Sequence, residues 1–118
     1  MAFRNAGLVN VPAITPTELY KAPTGYEAVI HSLFLSNVST TQSDIQVTVS
    51  VLSSALSQTY RLIDNGIITA GITLIFDKPI NLTSGDQILV TANIANSLEV
   101  FASILLATAD SVAPLTSL

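Results

Sequence analysis

Cysteine and tryptophan are absent from this chain of 118 residues, and histidine and methionine occur once each. Without cysteine there is no disulfide and no thiolate metal site, and the redox compartment cannot be inferred. A single histidine, His31, excludes a histidine-rich metal site within one chain. Charge is scarce as well. Only 10% of residues are Asp, Glu, Lys or Arg, against roughly 25% in ordinary soluble domains. The cations Arg4, Lys21, Arg61 and Lys78 are scattered, and the formal net charge is −4. Nucleic acid is therefore not an expected partner, because counterion release needs clustered cations. No apolar run approaches the roughly 18 residues of a membrane helix. The opening "MAFRNAGLVNVPAITP" has no apolar h-region, so no secretory signal is expected. The sequons at Asn37 and Asn81 read as chance products of a chain rich in Ser, Thr and Asn.

What the chain does have is apolar residues, 49% of the total. That excludes disorder and supplies one core for one domain. With so few charges, the polar surface must be made of hydroxyls and amides. Such a surface keeps a free monomer apart from its neighbours poorly. It suits a protein whose faces are covered by other subunits.

The apolar residues follow strand periods. Residues 1–16 contain Pro12 and Pro16 and read as an extended N-terminal arm. Residues 17–22 are a short strand ended by Pro23-Thr24-Gly25. Residues 27–36 are apolar at nearly every position, with Val29, His31, Leu33 and Leu35 on one face and Ile30, Ser32 and Phe34 on the other. A strand covered on both sides reads this way. Residues 45–51 alternate cleanly, with Ile45, Val47, Val49 and Val51 inward. Residues 58–63 form a further strand, closed by an expected turn at Asp64-Asn65-Gly66. Ala70, Ile72, Leu74 and Phe76 share a face, as do Ile88, Val90, Ala92 and Ile94. Between them, Ile80 and Leu82 are a brief strand. Thr83-Ser84-Gly85-Asp86 is a turn, with Gly85 expected at positive φ. Residues 98–108 are a last two-sided strand, and residues 109–118 a C-terminal tail. About eight strands with frequent turns and no helix predict an all-β, single antiparallel β-sandwich over residues 17–108, jelly-roll or Ig-like, with jelly roll favoured.

No catalytic constellation stands out. His31 is the sole histidine base, and no nucleophile-elbow motif occurs. The acids Asp64, Asp77, Asp86 and Asp110 sit where turn chemistry explains them. Asp64, Asp77 and Asp86 would bind calcium only if their loops converged. Three copies of His31 could meet a metal only on a trimer axis. Tyr20, Tyr26 and Tyr60 read as core or rim residues rather than a sugar platform. No enzyme activity, cofactor or metal is expected.

The stretches "LYKAPTGYEAVIHSLFLSN", "DKPINLTSGDQILV" and "SLEVFASIL", within residues 3–108, resemble a family of small virion structural proteins of tailed bacteriophages, including marine and cyanobacterial phages. The resemblance implies a virion component, assembled in the bacterial host cytoplasm, that contacts the major capsid protein or another virion protein. The favoured role is a capsid decoration (cement) protein that stabilises the head by bridging capsid subunits. A neck or tail connector or fibre-attachment component is the alternative, and a carbohydrate-binding adsorption module a third. A homo-oligomer is expected, with a trimer favoured. The expected assembly surface is the two-sided strands near residues 27–36 and 98–108, or the terminal arms, where Phe3, Leu8, Val11 and Ile14 with Val112, Pro114, Leu115 and Leu118, together with Arg4, are the expected contacts.

Overall fold

The computed structural model describes residues 2–108, and among these there is no helix. Nine strands follow one another: β1 (Ala2–Leu8), β2 (Thr17–Lys21), β3 (Tyr26–Asn37), β4 (Ile45–Ser53), β5 (Gln58–Ile68), β6 (Thr73–Phe76), β7 (Ile80–Leu82), β8 (Gln87–Ala92) and β9 (Leu98–Thr108). They form two antiparallel sheets. Sheet A runs β1-β9-β3-β6, with β7 beside β6 on the same flank of β3; sheet B runs β2-β8-β4-β5.

β6 and β7 are one strand interrupted at Asp77-Lys78-Pro79, where proline has no amide to donate. Counted so, the first strand pairs with the last, the second with the next to last, the third with the sixth and the fourth with the fifth. The chain is a long hairpin rolled up until β3 meets β9 and β4 meets β8. That order makes the sandwich a jelly roll.

The inner faces supply the core. Ile30, Leu33 and Leu35 of β3, with Ala102 and Ile104 of β9, are buried with Ile45, Val47 and Val49 of β4 and Ile88 and Val90 of β8. The clean alternation at residues 45–49 is therefore the inner face of sheet B. Leu74, Phe76, Val51 and Ile94 pack against this core half-covered.

Four expectations change in the folded chain. Residues 2–8 are an edge strand, not a free arm, and Val11 is buried in the core. The cause is β9: its apolar residues need a neighbour on each side, and β1 supplies one. Ile72 is 54% exposed. Its amide bonds Thr69 O in a turn that Gly71 enters at φ +78°, so β6 begins only at Thr73. Asp64-Asn65-Gly66 does not end a strand. Asn65 takes φ +53° as one of two bulges in β5, its amide bound to Thr48 Oγ1 at 3.1 Å. β3 is bulged as well. Two residues on β3, Ile30 to Ser32, span one step on β9, and His31 is the extra residue. The bulge resets the alternation, so Ile30 and Leu33 both point inward and His31 is exposed.

Two buried polar side chains tie the ends of the roll. At one end Asn37 donates through Nδ2 to Ser43 O and Ile68 O, both at 2.8 Å, and accepts from Ser39 N at 3.0 Å. Both of its amide protons are used, so its sequon cannot carry a glycan in the folded chain. At the other end Asp86 Oδ1 accepts from Ser54 N at 2.8 Å, while Oδ2 accepts from Thr83 N at 2.9 Å and Thr83 Oγ1 at 3.0 Å. Gly85 beside it has φ +87°, as the turn requires, and a Cβ there would lie 3.0 Å from Ser54 Oγ. Burial opposes ionisation of Asp86, but the donors from Ser54 and Thr83 outweigh it and hold the carboxyl below the usual aspartate range.

Two outcomes follow from this packing. Val49→Asp places an unpaired charge in the core and should cost about 3–5 kcal/mol in urea unfolding; unchanged stability would refute the inward assignment. Asp86→Asn turns one acceptor oxygen into a donor facing donors and should cost about 1–3 kcal/mol at neutral pH. Because folding lowers the Asp86 pKa, its contribution is full above about pH 4, the unfolded value, and is lost as pH falls through the folded value. Melting temperature against pH should therefore fall less steeply below that point in the asparagine variant than in the parent.

Candidate assembly surface

The outer faces of the two sheets differ in chemistry. On sheet A, register and alternation set side chains in rows across the strands. Phe3, Leu105 and Val29 form one row. Asn5, Ser103 and Ser32 form the next. Gly7, Phe101, Phe34 and Ile75 form the third. The Phe34 and Phe101 rings are 6.5 Å apart and tilted by 41°. Phe3 is 81% exposed, Ile75 55% and Phe101 47%. Glu27 and Glu99 stand near opposite ends of this face.

The outer face of sheet B carries Gln46, Thr48 and Ser50 on β4 with Gln87 and Thr91 on β8, and Glu18, Lys21 and Arg61 on its flanking strands. Leu52 and Leu89 are half-buried on it, Ile67 of β5, opposite Gln46, is 66% exposed, and Ile14 lies beside Gln46, Thr48 and Thr91. Exposed apolar side chains thus occur on both outer faces, and the exposed phenylalanines Phe3 and Phe101 belong to sheet A.

The residues expected as contacts fall in different places. Phe3 belongs to the apolar face. Arg4 is exposed on β1, with Nη1 donating to Phe3 O at 3.1 Å. Its charge also offsets part of the burial that pushes the Tyr20 hydroxyl up. Leu8 packs half-buried against the core. Val11 is 1% exposed, its carbonyl accepting from Asn96 N at 3.0 Å. Ile14 is 78% exposed and takes φ +65°, a strained conformation for a β-branched residue, held by its amide on Ala92 O at 2.8 Å. Val112, Pro114, Leu115 and Leu118 lie outside the described residues. Phe34 and Phe101 lie on the two-sided strands β3 and β9, and Ile75 of β6 extends their row. Their alternation was legible, but which face meets solvent was not.

Among the described residues no three His, Cys, Asp or Glu side chains converge. Asp86 is committed to its turn, Asp64 lies 3.9 Å from Arg61, and Asp77 sits at the β6–β7 break. His31 borders a shallow depression with Phe3, Arg4 and Ser103. Tyr20, Tyr26 and Tyr60 stand on three strands of two sheets and build no common platform.

No protein-family model matches the chain, and neither does any curated protein. Solved structures share its fold. A subunit of the disulfide-linked pili of Bacillus endospore appendages superposes with TM-score 0.55 at 14% identity, over 91% of this chain and 87% of that one. A protein of the T13 viral particle of IBDV superposes with TM-score 0.53 at 10% identity, over 92% of this chain and 32% of its own length. A pentameric capsid protein from metagenomic phage sequences gives TM-score 0.47 at 19% identity, over 86% of this chain and 59% of that one. The fold is thus shared with a pilus subunit and a protein of a viral particle.

The contrast between faces predicts a solution property. Ile75→Ser with Phe101→Ser should lower binding of a hydrophobic dye well below that of the parent, at a stability cost of about 1 kcal/mol per site. Thr48→Ser with Thr91→Ser on the opposite face should leave dye binding unchanged. Equal dye binding by both pairs would show that the sheet A face is not the accessible apolar surface.

Proposed function

We propose that this protein is a non-enzymatic structural subunit of a virion, and in its finer form a capsid decoration protein that stabilises the head by bridging capsid subunits. The observation that carries the reading is the row of Phe101, Phe34 and Ile75, with Phe3 exposed nearby, on the outer face of sheet A. That row lies on neighbouring subunits. Each large apolar side chain buried there contributes about 1.5–3 kcal/mol before ordering costs. Many weak copies then add up over a lattice. The fold shared with a pilus subunit and a protein of a viral particle supports a role in an ordered assembly. A disulfide-linked assembly is excluded, because the chain has no cysteine. Residues 109–118, with Val112, Pro114, Leu115 and Leu118, add contacts to the capsid.

Quantified bands from purified virions test the reading. A decoration role requires copies on the order of hundreds, whereas a neck or tail ring holds about a dozen or fewer. Absence from the virion would refute both. Removing residues 109–118 should weaken binding to particles lacking the protein about tenfold or more and shift the melting temperature little. Unchanged binding with a collapsed melting temperature would assign those residues to the fold.

A further inference from the structure

The sandwich has four free sheet edges, and three are blunted. β2 is five residues long, follows Pro16, is bulged between Glu18 and Tyr20, and ends on Lys21. β5 is bulged twice and carries Arg61 and Asp64. The flank formed by β6 and β7 is four residues and three residues long, broken at Asp77-Lys78-Pro79. Bulges, charges, prolines and short strands are devices that stop a foreign strand from adding. β1 has none of the geometric devices. Its register with β9 is unbroken from Ala2 to Leu8, without bulge or proline, and Arg4 is its single charge. Among the described residues, backbone groups of alternate residues on its outer edge have no strand to bond.

We infer that two copies of this chain join through β1, antiparallel about a two-fold axis at Asn5, with each Phe3 seated beside Gly7 of the other copy. The inference rests on the assembly reading above and names a second copy as the occupant of this edge. In this register Phe3 lies opposite Gly7, Arg4 opposite Ala6, Ala2 opposite Leu8, and Asn5 opposite its own counterpart. Phe3 is 81% exposed in the single chain. Gly7 leaves the strand bare at the point where a groove of about 350 Å³ opens toward Phe34 and Phe101. An aromatic ring across from a strand glycine covers its backbone, and here the ring would extend the row Gly7, Phe101, Phe34 and Ile75. The neighbouring register centred on Arg4 sets two guanidinium groups directly opposite, which is destabilising. Registers centred on Ala6 or Gly7 shorten the overlap and leave Phe3 without a partner strand. The pairing merges two five-stranded sheets into one and closes on itself, so it builds a dimer rather than a trimer.

Asn5→Cys tests it directly, since the chain has no other thiol. Residues facing each other across an antiparallel pair have Cα atoms about 4.5–5.5 Å apart, within the disulfide range of about 4.4–6.8 Å. Mild oxidation should give a covalent dimer from Asn5→Cys and not from Thr59→Cys on the β5 edge. Adding Phe3→Ala to Asn5→Cys should slow cross-linking about 10- to 100-fold; Phe3 is exposed, so the monomer stays folded. Equal cross-linking at both edges, or no effect of Phe3→Ala, would overturn the inference. A trimer by mass with no Asn5→Cys dimer would overturn this contact and leave the assembly reading standing. A monomer that binds particles in a Phe3-dependent way would make a capsid protein the occupant and overturn the second copy. A monomer absent from virions would refute both readings.

Discussion

The pairing of β3 with β9 is the constraint on which the rest of the molecule depends. It runs from Tyr26 opposite Thr108 to Asn37 opposite Leu98 and turns a long hairpin into a closed roll. Every other strand of sheet A attaches to one of these two, and their inner residues, among them Ile30, Leu33, Leu35, Ala102 and Ile104, belong to the core. The two strands lie far apart in sequence, so loop-closure entropy opposes their meeting until the apolar rows of both sheets are in register. This explains why both are apolar on two faces. Their inner residues close the sandwich. Their outer residues, Phe34 and Phe101, leave an apolar surface as a by-product that assembly can use.

Polar groups are placed where the roll would otherwise open. Asn37 at one end and Asp86 at the other each bond backbone from segments distant in sequence, and both are nearly inaccessible. A buried amide or carboxylate survives only with its bonding capacity met. Each side chain therefore specifies one arrangement of the loops around it. Ser97 repeats the device locally, its hydroxyl bonding Ile94 O at 2.6 Å. With charge so scarce in the chain, these few satisfied groups do the work that ion pairs do elsewhere, and the single ion pair among the described residues, Arg61 with Asp64, is exposed and contributes little.

The same economy shapes the exterior. Edge strands are hazards unless blunted. Here bulges and prolines fall on β2, β5 and the flank of β6 and β7, while β1, with Arg4 as its one charge, stays regular. The apolar outer rows run across sheet A and end at β1 with Phe3 and Gly7. Surface and edge therefore belong to one feature, an apolar sheet that continues to its rim.

By itself the sequence determined the fold class, the core of sheet B and the Gly85 turn. Period-two runs such as Ile45, Val47 and Val49 can bury one face only as strands, and a left-handed turn position favours glycine for steric reasons that act locally. Scarce charge and absent cysteine likewise restricted the surface chemistry before any folding. Only the tertiary structure decided the bulges at His31 and in β5, because an extra residue is defined against the partner strand it fails to match. It alone turned residues 2–8 into β1 and sent Val11 inside, since their role depends on the uncovered flank of β9. The same holds for Phe101 and Phe34. Alternation shows that such residues share a face, but which face meets solvent is settled by which side the second sheet covers.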